Sequence, residues 1–150
     1  VRMLAGLILR DIERIADLAM EPGSHWRPLV ANRLLRLTVH LGRIDNLRAN
    51  EAEDILAALN MEHAIVDLRE LQSRHDLQPA ERLAVEAAIG SLRTLSSGHD
   101  SFVNALNLGI GALTQTNALQ PGSTVATSLL NIKVALQQGA TILLHGARKV

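Results

Sequence analysis

The chain has 150 residues, and its 15 basic and 15 acidic side chains cancel to a formal net charge of zero. A chain of this length buries roughly two-thirds of its unfolded surface, so we expect a single domain over residues 1–150. A neutral chain with one Trp and one Phe lacks both the positive excess and the stacking platforms of nucleic-acid binders. The absence of cysteine excludes disulfides, thiolate nucleophiles and cysteine zinc sites.

Helix-forming residues dominate the chain, and the alternating pattern of strands is missing, so the predicted fold class is all-α. The first predicted helix runs from about Arg2 to Met20 and ends at Glu21-Pro22-Gly23. Ser24 is placed to cap a second helix. Apolar residues in this second helix repeat at intervals of three and four, which forms a stripe for a bundle core: Trp26, Val30, Leu34, Leu37, Leu41 and Ile44.

The rest of the chain contains three or four more helices with short connections. Short connections favour antiparallel neighbours, so the predicted architecture is an antiparallel up-and-down bundle of five or six helices. Beyond Asp100 the chain has no acidic residue, so we expect its last third to be packed or in contact with an apolar partner. The predicted helices are Asn50 to about His75, Pro79 to about Leu95, one from about Asp100, and one after Pro121-Gly122-Ser123.

Two acidic residues fall among apolar positions when the helices are projected at about 100° per residue. Asp11 lies on the apolar arc of the first helix, and Glu62 lies on that of the third. Buried charges normally pair, so we predict structural ion pairs for both acids, with Arg69 and the arginines of the second helix as donors. A ligand-binding or proton-relay role for the two acids is the alternative.

The second helix also has a basic edge, formed by Arg33, Arg36, His40 and Arg43. In projection these four side chains share an arc of about 80° beside the apolar stripe. The basic edge is therefore a candidate anion-binding site. The alternative is that its cations meet Asp11, Glu62 or solvent, and the question becomes whether any arginine stays unpaired for an organic anion.

Two His-Asp pairs, His75-Asp76 and His99-Asp100, raise the possibility of an enzyme. All-α metal-dependent phosphohydrolases contribute such a pair, together with further His and Asp residues from other helices. The chain lacks HExxH and the Glu-x-x-His pairs of di-iron bundles, and Asp commonly caps helix ends. We therefore favour a capping role for both pairs, and we expect no catalytic residue, no metal and no cofactor.

Four segments in order resemble a known family: RMLAGLILRDIERIADLA, WRPLVANRLLRLTVHLGRI, EDILAALNMEHAIVDLRELQ and LQPAERLAVEAAIGSLRTL. They are similar to the soluble region between the two membrane halves of fusaric acid resistance and aromatic acid exporter proteins. Ala31-Asn32 departs from the arginine-methionine pair of that family, and the resemblance covers about the first two-thirds of the chain, with nothing specific beyond Asp100. The positions that carry it are Leu7, Leu9, Arg10, Asp11, Trp26, Arg33, Leu37, Leu68 and Arg69.

The resemblance implies a non-catalytic cytoplasmic domain of an inner-membrane efflux transporter, which serves subunit assembly or substrate access. It also implies a homo-oligomer, membrane attachment through flanking segments outside this chain, and an aromatic or other organic acid as ligand of the basic edge. The start at Val1 and the basic residues Arg2, Arg148 and Lys149 agree with a fragment excised from a membrane protein, because cytoplasmic segments beside membrane helices are enriched in Lys and Arg.

Two other functions remain open at the level of sequence. The first is a free-standing helical bundle for ligand sensing or protein interaction, with the apolar fifth and sixth helices as its partner surface. The second, more remote, is the metal-dependent His-Asp phosphohydrolase. No nucleic-acid partner is expected for any of the three.

Overall fold

The computed structural model describes residues 2–23, 25–47, 51, 54–55, 69–97 and 124–149. Its helices are α1 (Arg2–Ala19), α2 (Trp26–Gly42), α3 (Pro79–Ser97) and α4 (Thr124–Lys149), and a 3₁₀ helix (Arg43–Asn46) continues α2. Within these ranges there is no strand, and the all-α bundle prediction is confirmed. None of the described helices combines the length and the apolar character needed to cross a membrane.

The predicted boundaries agree with the first two helices, and α3 and α4 correspond to the predicted fourth and sixth helices. Residues 69–72 are helical and end the predicted third helix, which otherwise lies almost entirely outside the described residues, as does the whole of the fifth. The N-cap position of α2 is His25, whose side chain makes no capping hydrogen bond. The predicted cap, Ser24, lies outside the described residues.

A tight reversal joins α1 to α2 and makes them neighbours. After α1 ends at Ala19, the amides of Met20 and Glu21 bond back to carbonyl oxygens of the last helical turn. Gly23 then adopts a φ of 75°, a left-handed conformation that glycine reaches without a steric penalty. The chain therefore turns back within a few residues, and α2 packs antiparallel on α1.

The direction of α4 follows from its contacts with α2. The side chain of Leu34 lies against Gly139, and Asp45, just beyond α2, is ion-paired with Lys133. Residue numbers that rise along α2 therefore fall along α4, so these two helices are antiparallel. Among the described residues, the largest fully buried side chains come from α1, from α2 with its 3₁₀ extension, and from residue 55: Trp26, Ile8, Ile12, Ile15, Leu37, Leu41, Ile44 and Ile55.

Helix α3 packs closely on α4 at two glycines of α4. Gly139 lies against Ala84 and Ala88, and Gly146 lies against Glu81. Because the contacts again run in opposite directions, α3 is antiparallel to α4 and parallel to α2. The small residues at these positions allow the two helix backbones to approach each other.

A buried ion pair connects α2 with the start of α3. The Nε and Nη2 atoms of Arg27 donate to Glu81 Oε2 and Oε1 at 2.6 and 3.0 Å, and the Glu81 side chain is 1% exposed. Glu81 Oε1 also accepts the backbone N–H of Gln78 at 2.9 Å, which satisfies a donor at the helix N-terminus. The carboxylate therefore has three hydrogen bonds and little freedom to move.

The two glycines of α4 provide a matched pair for testing this packing. A Cβ at Gly146 would overlap the Glu81 carboxylate, with 2.8 Å to its Cδ, whereas a Cβ at Gly139 would have no neighbour nearer than 3.6 Å. We expect Gly146→Ala to lower the free energy of unfolding by about 2 kcal/mol. Gly139→Ala should instead raise it by up to about 1 kcal/mol, because alanine favours helix over glycine. Urea unfolding measures both, and equal effects would contradict the packing of Glu81 on Gly146.

Candidate functional site

A single carboxylate is buried between α1 and α2. Asp11 lies on the inner side of α1, among Ile8, Ile12 and Ile15, and is 0% exposed. Removing a carboxylate from water is unfavourable by several kcal/mol unless cations and hydrogen-bond donors replace the lost hydration. Asp11 can therefore occupy this position only with partners on the neighbouring helix.

Helix α2 supplies those partners from its basic edge. Arg33 Nε lies 2.9 Å from Asp11 Oδ1, and Arg36 Nε lies 3.8 Å from the same oxygen. The ring of His40 is hydrogen-bonded through Nδ1 to Asp11 Oδ2. Because positions 33, 36 and 40 follow each other on one side of a helix, a single carboxylate can meet all three.

The three partners of Asp11 differ in how far they reach solvent. The side chains of His40 and Arg33 are 8% and 18% exposed, whereas that of Arg36 is 56% exposed. Although Arg33 Nε and Asp11 Oδ1 are close, neither atom has an aligned hydrogen-bond partner, so their contact is mainly Coulombic. The two arginines alone already exceed the charge of Asp11, which leaves this cluster with a positive surplus.

The remaining predicted site residues lie elsewhere. Arg43 is exposed at the start of the 3₁₀ helix, and it forms no ion pair with any residue that the structure describes. Arg69 is exposed in the helical turn at 69–72, while Glu62, its predicted partner, lies outside the described residues. The structure thus brings Arg33, Arg36 and His40 together on Asp11 and leaves Arg43 apart from them.

A second polar cluster surrounds Trp26, whose spacing in the sequence predicted a place in the apolar stripe of α2 and no polar contact. The indole N–H donates to Asp76 Oδ2 at 3.1 Å. The guanidinium groups of Arg27 and Arg74 lie 4.9 and 4.5 Å from the ring centroid, within range for cation–π attraction. The buried ring therefore contacts two guanidinium groups through its face and one carboxylate through its N–H, at the end of the bundle where α2 begins.

Arg74 links this cluster by hydrogen bonds to the turn between α1 and α2. Its guanidinium donates to the carbonyl oxygens of Ala19, Glu21 and Gly23, the last two at 2.8 and 3.1 Å. These carbonyls lie at the last residue of α1 and in the turn after it, where no further helical N–H groups are available to them. Arg74 also donates twice to Asp76, at 2.9 and 3.1 Å, so one side chain closes the turn and orients the carboxylate.

The role of Asp76 differs from the predicted helix cap in water. Its carboxylate accepts from Trp26 and Arg74, and the cap of α3 comes from Glu81. The hydrogen bonds from Arg74 are the main reason that the pKa of Asp76 falls from 3.8 to about 2, with the Trp26 hydrogen bond adding to the effect against partial burial.

The lowered pKa of Asp76 predicts a stability difference that depends on pH. A depressed folded-state pKa stabilises the fold above the unfolded pKa, near 4, and this contribution disappears as pH falls through about 2. Because the side chain is 41% exposed, solvent screening reduces the effect, and we expect Asp76→Asn to lower the free energy of unfolding by about 1 kcal/mol at neutral pH.

Urea unfolding followed by the fluorescence of Trp26, the only tryptophan, measures this difference. The difference in the free energy of unfolding between wild type and Asp76→Asn should become smaller as the pH is lowered from 4 to 2. Asp17→Asn, at an exposed position of α1, serves as the control and should change stability little at any pH. If this difference in the free energy of unfolding is the same at pH 2 and pH 7, the ionised, hydrogen-bonded carboxylate does not stabilise the fold.

The residues considered for metal binding do not assemble in the part of the chain that the structure describes. Among those residues no group of three or more His, Asp or Glu side chains is arranged to hold a metal ion. His75 is exposed next to Asp76, and the other pair, His99-Asp100, lies outside the described residues.

Comparison with protein families gives a match that covers nearly the whole chain. The fusaric acid resistance protein family matches residues 1–148, so the match continues well beyond Asp100, after which the sequence shows no specific resemblance. No curated protein and no solved structure matches the chain significantly. The spacing of leucine and arginine in the first three helical segments therefore predicted the correct family. This chain belongs to the fusaric acid resistance protein family, a family of efflux and transport proteins.

Proposed function

We propose that the chain is a non-catalytic cytoplasmic domain of an inner-membrane efflux transporter for aromatic or other organic acids. In this proposal the domain admits substrate at the cytoplasmic side and takes part in subunit assembly, while transport takes place in membrane segments outside these residues. Membership of an efflux and transport family supports the general assignment. The charge arrangement on α2 supports the role in substrate access.

The observation that carries the access role is the positive surplus around Asp11. One buried carboxylate faces Arg33, Arg36 and His40, and Arg36 holds it at 3.8 Å, which exceeds a normal hydrogen-bond distance. The guanidinium of Arg36 is therefore mostly available to a ligand. An exposed positive surplus raises the local concentration of organic anions and speeds their arrival.

The residues of the basic edge have two different tasks in this proposal. Arg33 pairs with Asp11, His40 is hydrogen-bonded to it, and both stay largely buried, so they fix the position of the edge. Arg36 and Arg43 are exposed and attract the carboxylate of a substrate. Attraction of this kind is weak and screened by salt, which suits a surface that passes substrate on.

The assembly role has support in the exposed side of α4. Leu130 and Val134 are 55% and 39% exposed, and Gln137, Gln138 and Thr141 continue this side of the helix without a charge. Uncharged surfaces with exposed aliphatic residues are typical of subunit contacts. We therefore propose a homo-oligomer that uses α4. The same surface would serve the alternative of a free-standing interaction bundle.

The absence of cysteine from this chain allows a direct test of its location. A single cysteine is introduced at exposed Glu13 or, as the matched control, at fully buried Ala31, in the gene product that contains this chain and has its other cysteines replaced. We expect the product in the membrane fraction. A membrane-impermeant maleimide should label Glu13→Cys only after the inner membrane is permeabilised, and Ala31→Cys only after denaturation.

Labelling of Glu13→Cys in intact cells would contradict the cytoplasmic location. Recovery of the gene product from the soluble fraction would contradict the transporter assignment and favour the free-standing bundle.

A further inference from the structure

The side of α2 that faces solvent combines cations with aliphatic side chains. We call Leu29, Asn32, Arg36, Val39 and Arg43 the outer face of α2; projected at about 100° per residue, these positions share an arc of about 80°. Leu29 and Val39 are 46% and 61% exposed, and Arg36 and Arg43 are exposed as well. Large aliphatic side chains thus stand in water beside two guanidinium groups.

The outer face carries no negative charge of its own. Helix α2 contains no Asp or Glu. Asp11 approaches Arg36 from the inner side and is itself buried against Arg33 and His40, and Asp45 is paired with Lys133. The chain as a whole is neutral, so the outer face of α2 is a local positive surface.

The shape and composition of this face decide between kinds of partner. Tight binding sites for small soluble ligands are concave, whereas the outer face is the convex side of a single helix and suits only the weak, transient attraction of substrate proposed above. Interfacial helices use a mixed surface of this kind, in which Lys or Arg pairs with anionic headgroups and aliphatic residues enter the boundary of the acyl chains. Val39, one turn from both Arg36 and Arg43, is placed to enter that boundary between the two cations.

We infer that the outer face of α2 docks on the anionic headgroup surface of a phospholipid membrane. The inference rests on the proposed function in one respect, namely that the domain lies beside the inner membrane. Two arginines and two aliphatic residues make a weak contact when the chain is free in solution, and low ionic strength strengthens this contact enough to be measured. A domain tethered to membrane segments meets the surface at high effective concentration, so a weak contact is sufficient to orient it.

Vesicle sedimentation tests the inference with the chain itself at low ionic strength. One set of vesicles contains phosphatidylglycerol and phosphatidylcholine in equal parts, and the other contains phosphatidylcholine alone. We expect binding to the anionic vesicles only. Arg36→Ala/Arg43→Ala should weaken that binding about 25-fold, since each cation near an anionic surface contributes about fivefold. The Arg36 substitution removes one contact of Asp11, while Arg33 and His40 remain against it. Circular dichroism verifies that the double variant is folded.

The matched control removes the same charge from other elements. Arg69 and Arg148 are both exposed, and Arg69→Ala/Arg148→Ala should retain binding within about twofold of wild type. Equal binding by the two double variants would overturn the inference. No binding by the wild type, or equal binding to neutral vesicles, would overturn it as well.

Titration with benzoate in the absence of lipid separates this inference from the proposed function. A chain that binds benzoate through Arg36 and Arg43, yet shows no preference for anionic vesicles, would overturn membrane docking and leave the access role intact. A chain that docks on anionic vesicles while its cysteine variant is labelled in intact cells would overturn the cytoplasmic location alone.

Discussion

The burial of Asp11 between α1 and α2 is the constraint on which the charge arrangement of this domain depends. A carboxylate at this depth needs a cation and hydrogen-bonding partners, so α2 must be rotated to bring Arg33 and His40 inward. That rotation also turns Arg36, Val39 and Arg43 toward solvent. One buried charge thus influences the packing of two helices and places a positive, partly aliphatic face on the surface.

The end of the bundle where α2 begins is held by a different set of polar contacts. Arg27 and Glu81 join α2 to α3, while Arg74 binds Asp76 and the turn after α1. These contacts connect elements that are distant in sequence, so they fix the relative positions of α1, α2 and α3. Elsewhere among the described residues, α3 and α4 approach each other closely at the glycines of α4, and Lys133 of α4 is ion-paired with Asp45.

The sequence predicted those features that depend on local periodicity. Helix positions, the buried stripe of α2 and the placement of Asp11 on an apolar arc follow from spacing within one helix. The cluster around Trp26 did not follow, because its partner Asp76 is fifty residues away and a tryptophan in an apolar stripe shows no sign of its N–H partner. Spacing also cannot tell which arginine approaches a carboxylate most closely, since rotamers and helix rotation decide between Arg33 and Arg36.

The interaction between Asp11 and Arg33 can be measured by a double-mutant cycle on the free energy of unfolding. The cycle uses Asp11→Asn, Arg33→Gln and the double variant, with Asp17→Asn and Arg148→Gln as a control pair of exposed residues. If buried Asp11 depends on the charge of Arg33, the coupling energy should be about 1.5–3 kcal/mol for this pair, and the control pair should show none. A coupling below about 0.5 kcal/mol for Asp11 and Arg33 would contradict the central role of this ion pair.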